Sequence, residues 1–429
     1  MIYLISSILM LIKSRAKYSI ATLMFGLLLL STICAYMVGR QPIMEFETQI
    51  YTLYTALLLC ILLYSFCKYS NLQRVDFSNI DIDKLNKLEK ITSVIGVIIF
   101  VIYIYILSHV FQLLLLEEIK ADEYKNEGGA EETFDTMVPH IFITLGNFFS
   151  PLGYFFLFLH FYYLIQNKVR KSIFYLLLSF SLILNGLIAL SRSATTTYLL
   201  CYGSMMYFLL PVIKREIKRR IIIVGIVFGS IIFTGLFVIS DSRFSEYYTK
   251  NSLNDAILDE KESPMLFSTF DYLGLWEESG PWILKRYHWG DQSWSFYNSN
   301  GLGVHLQKMI YGGARVNKER SEKYEKILGE RWSNFHGIIA RCVFDYGFVG
   351  TILFILIISR IIRKYEPKNN TLRVATLLSL PITLPFALGF WAGNALANLA
   401  YDLGVIYFFV ILYYIKKKKY GYNVSYREG

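Results

Sequence analysis

The chain has 429 residues, 54% of them hydrophobic, with 33 tyrosines, 32 phenylalanines and only nine prolines. Several uninterrupted apolar runs reach the roughly 20 residues needed to cross a bilayer core of about 30 Å, which points to a polytopic membrane protein rather than a soluble domain. The formal net charge of +10 does not point to nucleic acid. The basic residues sit in short clusters between apolar runs, the distribution of cytoplasmic membrane loops.

In chain order, residues 1–12 form an apolar run followed by positive charge. No small-residue cleavage site follows, so it does not read as a removed signal peptide, and it is short for a span. Ten spans are then expected at about 18–39, 50–67, 91–115, 138–165, 172–190, 195–213, 221–240, 338–359, 374–391 and 396–415, with residues 1–12 as an eleventh at most. The five cysteines, Cys34, Cys60, Cys67, Cys201 and Cys342, lie in or beside these runs without metal-ligand spacing and read as small buried hydrophobes. "KSRAK", the 68–90 connection, "QNKVRK", "KREIKRR", "RIIRKYEPKNNTLR" and the "KKKK" tail are rich in Lys and Arg, and the connections between them are poor. Positive-inside logic puts the basic set in the cytoplasm.

The expected organisation is a membrane bundle over 1–240, a large external loop over 241–337, closing membrane helices over 338–415 and a basic tail over 416–429. The loop is nearly neutral, lacks cysteine and holds Trp276, Trp282, Trp289, Trp294 and Trp332, five of the six tryptophans. A loop of that length is either functional or disordered, and its aromatic content argues against disorder. "NKERSEKYEKILGERW" reads as a charged, partly amphipathic helix leading to His336.

Several residues are candidates for chemistry. Arg192, in "ALSRSATTT", stands at the tip of a hairpin at the outer membrane surface. It is either an arginine snorkelling to lipid phosphates or, with the hydroxyls of Ser191, Ser193 and Thr195, part of an anion site. Arg243 leaves the seventh span on the outer side, either as an interfacial anchor or as a second cation of that site. Arg286 and Arg315 lie deeper in the loop, where a solvated surface arginine is the plainer reading. His336 opens the eighth span. Arg341 and Asp345, four residues apart, share a helix face and read as a structural ion pair. "DID", Asp81 to Asp83, has the look of a metal–nucleotide pair but falls in a cytoplasmic connection away from the other candidates. No phosphate-binding glycine loop, zinc motif or nucleophile elbow is present.

On this architecture, on "SRSA" at Ser191–Ala194 and on "HGIIARCVFDYGFVG", with His336, Gly337, Asp345, Gly347 and Gly350, the chain resembles the bacterial O-antigen and capsular repeat-unit polymerases, and more distantly the O-antigen ligases. Gly337 departs from the polar residue that ligases carry after the histidine. The resemblance implies an all-α bundle of the C-type glycosyltransferase kind in the bacterial inner membrane. It implies an enzyme that transfers a growing glycan from undecaprenyl pyrophosphate onto a lipid-linked repeat unit, with no metal and no other cofactor. His336 would be the general base, and Arg192, Arg243, Arg315 and Arg286 would hold the pyrophosphate. Membrane lipids, a chain-length regulator and a flippase are the implied partners. A ligase passing finished glycan to a lipid core, or a flippase for the same lipid-linked sugar, are the alternative readings.

Overall fold

The computed structural model describes residues 2–14, 19–38, 46–115, 140–188, 192–219, 337–392 and 399–417, with short pieces of 220–336 at 267, 270, 274, 283–287, 303, 306, 307, 310 and 322. The protein is an all-α membrane protein: five helices among the described residues are long and apolar enough to cross a membrane. The first three helices are α1 (Ile2–Lys13), α2 (Ile20–Met37) and α3 (Phe46–Leu63), the last continuing as a 3₁₀ turn over Tyr64–Asn71. Strand β1 (Arg74–Asp76) leads to α4 (Ile82–Leu115). Then come α5 (His140–Phe149), α6 (Leu152–Ile165), α7 (Val169–Ser179), α8 (Ser181–Ile188) and α9 (Arg192–Leu209). After the large loop, with α10 (Ile283–Arg286) inside it, follow α11 (Ile338–Lys364), β2 (Thr371–Arg373), α12 (Val374–Ala392) and α13 (Leu399–Ile415).

Five of the ten expected spans correspond to helices long enough to cross a membrane, and four others to shorter apolar helices, with three local differences. The run at 138–165 is two helices, because Pro151 brings no N–H and Ser150 turns the chain, with Gly153 N–H donating back to Ser150 O at 2.8 Å. The run at 172–190 is divided at Phe180, whose N–H reaches only three residues back, to Leu177 O at 3.1 Å. The third span starts earlier than expected, at Ile82. Asp81 caps it, its Oδ1 accepting from Lys84 N–H at 3.2 Å. "DID" is therefore a helix start. The expected span 221–240 and the helix expected before His336 lie outside the described residues, apart from Glu322.

The basic connections gather on one face. Strands β1 and β2 pair in parallel, Arg74 with Thr371 through Asp76 with Arg373. This joins the start of α4 to the junction of α11 and α12. Asp81 N–H donates to Ile415 O at 2.9 Å, bringing the end of α13 to the same place. Lys68 reaches Glu366 at 2.5 Å. Lys13 and Arg363 lie 5.0 and 5.4 Å from the Tyr64 ring centroid, which adds the end of α1. The end of α9 arrives through Phe208, stacked on Tyr69 with centroids 5.2 Å apart. Lys171, at the start of α7, contacts Glu89 of α4 at 3.0 Å. The 68–90 connection thus touches the 166–171 and 360–373 connections and the start of the basic tail directly, and the ends of α1 and α9 reach the same face through Tyr64 and Tyr69. Here too Ser78 donates its N–H and hydroxyl to Asp76 Oδ1 at 3.0 and 2.6 Å, which holds that carboxyl below the usual range.

One main core runs through α1, α2, α3, α4, α6, α7, α9, α11, α12 and α13. Helix α4 turns Ile91, Val94, Ile98 and Val101 outward, all exposed, as a lipid-facing helix does. Pro381 and Pro385 lie inside α12, and Tyr401 of α13 donates to Ile382 O at 2.7 Å beside them. A neighbouring helix covering backbone near a proline is how membrane helices tolerate one.

Candidate functional site

Gly274 and the 283–287 stretch of the loop pack at the end opposite the basic face. Gly274 lies so close to the last turn of α2 that a Cβ there would meet Ala35 Cα at 2.7 Å. Leu284 and Tyr287 form a buried cluster with Ala340, Val343 and Phe344 of α11, with Tyr51 and Tyr54 of α3 against it. Tyr287 meets Phe344 and Phe348 edge-on, with ring centroids 5.6 and 5.5 Å away.

Helix α11 starts at this end. Gly337, buried and extended (φ −61°, ψ 160°), precedes it. Ile338, Ile339 and Cys342 join the main core, while Ala340, Val343 and Phe344 meet the loop cluster. The first turns are therefore covered on both sides, which is why Arg341 (4% exposed) and Asp345 (0%) are buried there. Charges so placed are costly and are held by specific surroundings.

The helix then breaks. Gly347 has φ 71° and ψ 178°, a region essentially restricted to glycine. The break brings Tyr346 back over the next turn, so a Cβ on Gly350 would meet Tyr346 Cβ at 2.7 Å. Both glycines of the G-x-x-G pattern thus have a backbone reason. Two hydroxyls serve the carbonyls at the break: Thr351 Oγ1 donates to Gly347 O at 2.7 Å, and Tyr54 Oη of α3 donates to Phe348 O at 2.8 Å.

Arg192 is the first residue of α9, at this same end, about 26 Å from Leu209 by helical rise. Its side chain lies outside the described residues. Thr195 in the same turn is buried, and its hydroxyl has no hydrogen-bond partner among the described residues. The first N–H groups of a helix lack intrahelical acceptors, so this turn offers donors and a positive dipole end. Arg286 is half-buried in α10, one residue before Tyr287, and so comes to the start of α11. His336, Arg243 and Arg315 lie outside the described residues; His336 immediately precedes Gly337.

Sequence reasoning passed over three polar groups. Asp402, in the first turn of α13, is an acid at the loop-side end of an apolar span, and a single acid within an apolar sequence run was the available signal. Glu89, buried on α4, accepts from Tyr163, from Tyr175 at 2.7 Å and from Lys171 at 3.0 Å. His160 is buried between α6, α7 and α9: its Nδ1 lies 2.9 Å from both Ser172 O and Ser172 Oγ, and its Nε2 3.5 Å from Tyr202 Oη. Both clusters couple helices within the bundle and lie away from the start of α11.

No protein-family model, no curated protein and no solved structure matches this chain. What fold and site define is a class: an all-α membrane protein with its basic connections on one face and, on the other, a loop docked on a broken helix that carries two buried charges.

Proposed function

We propose that the protein is a metal-independent glycosyltransferase of the bacterial inner membrane that polymerises surface polysaccharide. It transfers the growing glycan from undecaprenyl pyrophosphate to a lipid-linked oligosaccharide repeat unit at the outer face, with the basic face in the cytoplasm. The observation that supports this best is the start of α9, whose first residue is Arg192 and whose first turn holds a buried Thr195 hydroxyl without a partner among the described residues, at the end of the bundle where the loop packs. A pyrophosphate fits such a turn. A guanidinium donates two parallel bonds to it and stays charged, and helix N–H groups favour an anion.

In this reading Arg192 and Arg243, with Arg286 and Arg315 from the loop, hold the donor's pyrophosphate and stabilise the charge it gains on leaving. His336 takes the proton from the acceptor hydroxyl as that oxygen attacks the anomeric carbon. The glycosyl–phosphate bond breaks as the new glycosidic bond forms, and attack in one step inverts the anomeric configuration. Arg341 and Asp345 position the segment that follows His336.

The test is chain-length distribution from purified protein given lipid-linked repeat units, with and without a chelator. Arg192→Ala is expected to abolish polymer, and Arg192→Lys to remain impaired because a point charge does not replace a fork. His336→Ala is expected to slow polymerisation about 10²–10⁴-fold. Full polymer from Arg192→Ala, near-normal turnover by His336→Ala, or loss of wild-type activity to the chelator would each overturn the assignment it addresses. Single repeats passed to a lipid core without polymer would make the protein a ligase, and transbilayer movement without glycan transfer would make it a flippase.

A further inference from the structure

Three helices end together on the basic face beside one tyrosine. Lys13, the last residue of α1, has its Nζ 5.0 Å from the Tyr64 ring centroid. The Arg363 guanidinium, in the last turn of α11, lies 5.4 Å from the same centroid. Tyr64 itself follows the end of α3. Lys68, one turn further on, is neutralised by Glu366 at 2.5 Å. Neither Lys13 nor Arg363 forms an ion pair among the described residues. Two like charges therefore converge on one ring without a counter-ion from the described chain.

An apolar groove runs from these charges into the bilayer. Leu53, Leu57 and Tyr64, four and then seven residues apart, fall on one stripe of α3, and both leucines are exposed. Helices α1 and α11 flank that stripe on opposite sides. Cys60, on one border, meets Ser6 of α1. Tyr54, on the other, meets Phe348 of α11 edge-on at 5.4 Å. Ile5 and Leu9 stand eight and four residues before Lys13, and Leu356 stands seven before Arg363; all three are exposed. Each cation thus continues the apolar wall that leads to it. The 12 residues of α1 rise about 18 Å from the basic face, close to the depth of one leaflet in a core of about 30 Å. The groove is one leaflet deep, apolar along its length and doubly cationic at its mouth.

We propose that this groove over α3 binds an anionic phospholipid of the leaflet on the basic side, with its phosphate between Lys13 and Arg363 and an acyl chain along Leu57 between the walls of α1 and α11. The Tyr64 hydroxyl adds a donor for the head group. Charge selects the lipid: a zwitterionic head brings its own cation to a site that already holds two. Bound lipid would clamp the end of α1 to the end of α11 across α3. The inference does not rest on glycan polymerisation, and its test reads lipid binding alone.

The full-length protein in detergent would be titrated with dioleoylphosphatidylglycerol and, separately, with dioleoylphosphatidylcholine, and bound lipid counted by native mass spectrometry. Wild type is expected to prefer phosphatidylglycerol by about fivefold or more. Lys13 and Arg363 are exposed, so their substitution leaves the core intact. Lys13→Gln and Arg363→Gln should each weaken phosphatidylglycerol binding about fivefold, and the double variant on the order of twenty-fivefold. Lys13→Arg/Arg363→Lys keeps both charges and should keep the lipid. Lys87→Gln/Lys90→Gln removes two exposed lysines of α4 elsewhere on the basic face and should bind as wild type does. Wild-type affinity in Lys13→Gln/Arg363→Gln would overturn the site. An equal loss in Lys87→Gln/Lys90→Gln would also overturn it, because the attraction would then belong to the whole face. Displacement of the lipid by inorganic phosphate at the same concentration would overturn the groove, because the head group alone would then account for binding.

Discussion

Glu89 is the side chain on the basic face whose removal has the most calculable consequence. Its carboxylate is buried and accepts from Tyr163 and Tyr175, with Lys171 at its edge. Glu89→Ala leaves Tyr163 without that acceptor, a loss of about 1–3 kcal/mol for a buried hydroxyl. Tyr175 keeps Ser93 Oγ at 3.1 Å, so its share is smaller. Lys171 has a side chain 55% exposed and returns to water, so it contributes little. Relief from burying a carboxylate offsets part of this, and the net cost is about 1.5–3 kcal/mol. Glu89→Gln keeps an acceptor oxygen and should cost less. Thermal unfolding in detergent measures both, and a cycle with Tyr163→Phe isolates the pair. Protein that does fold should turn over normally, because the cluster lies at the opposite end from the start of α11. A Glu89→Ala midpoint equal to wild type, or full additivity with Tyr163→Phe, would refute the reasoning.

Two further expectations follow from the arrangement of the faces and from the charges in α11. Reporter fusions should place residue 290 outside and residue 217 in the cytoplasm, since the charge clusters share one face and Gly274 and the 283–287 stretch of the loop pack at the other; a cytoplasmic signal at 290 would reverse the orientation. Arg341→Ala should lower the amount of folded protein by removing one of two opposite charges buried in the same turns, at a cost of about 3–5 kcal/mol, and the double variant Arg341→Ala/Asp345→Ala should recover part of it. Wild-type accumulation and melting of Arg341→Ala would contradict that account.

Much of the bundle was legible because its signals are local. Apolar runs mark helices wherever the bilayer is the solvent. The alternation of Lys and Arg groups connections that β1–β2 pairing, the Lys68–Glu366 contact and the Tyr64 contacts then bring together. Where one run became two helices, the reason was local as well. Pro151 stands inside a continuous apolar run, where hydropathy alone marks no break. The Phe180 break was not legible, because Ser179 and Ser181 gain their partners from Tyr198 and from Ser150 O, contacts that no sequence window contains.

The candidate site was legible in its parts and not in its mechanics. Arg192, His336, Arg341 and Asp345 stand out because charge beside hydrocarbon is expensive. Gly347 and Gly350 stood out as a family pattern, without a physical reason. The structure supplies one: a backbone conformation that only glycine accepts, and a Tyr346 Cβ that leaves no room for another. Tyr54 could not have been picked from 33 tyrosines, because its role depends on a carbonyl 294 residues away. The same holds for Glu89, whose tyrosine partners lie 74 and 86 residues along the chain. In an apolar bundle the costly groups advertise themselves, whereas the hydroxyls that satisfy them are common, inexpensive and identified only by where the helices meet. A reading by charge therefore finds where chemistry is placed, and the hydroxyls at the helix contacts decide what holds it there.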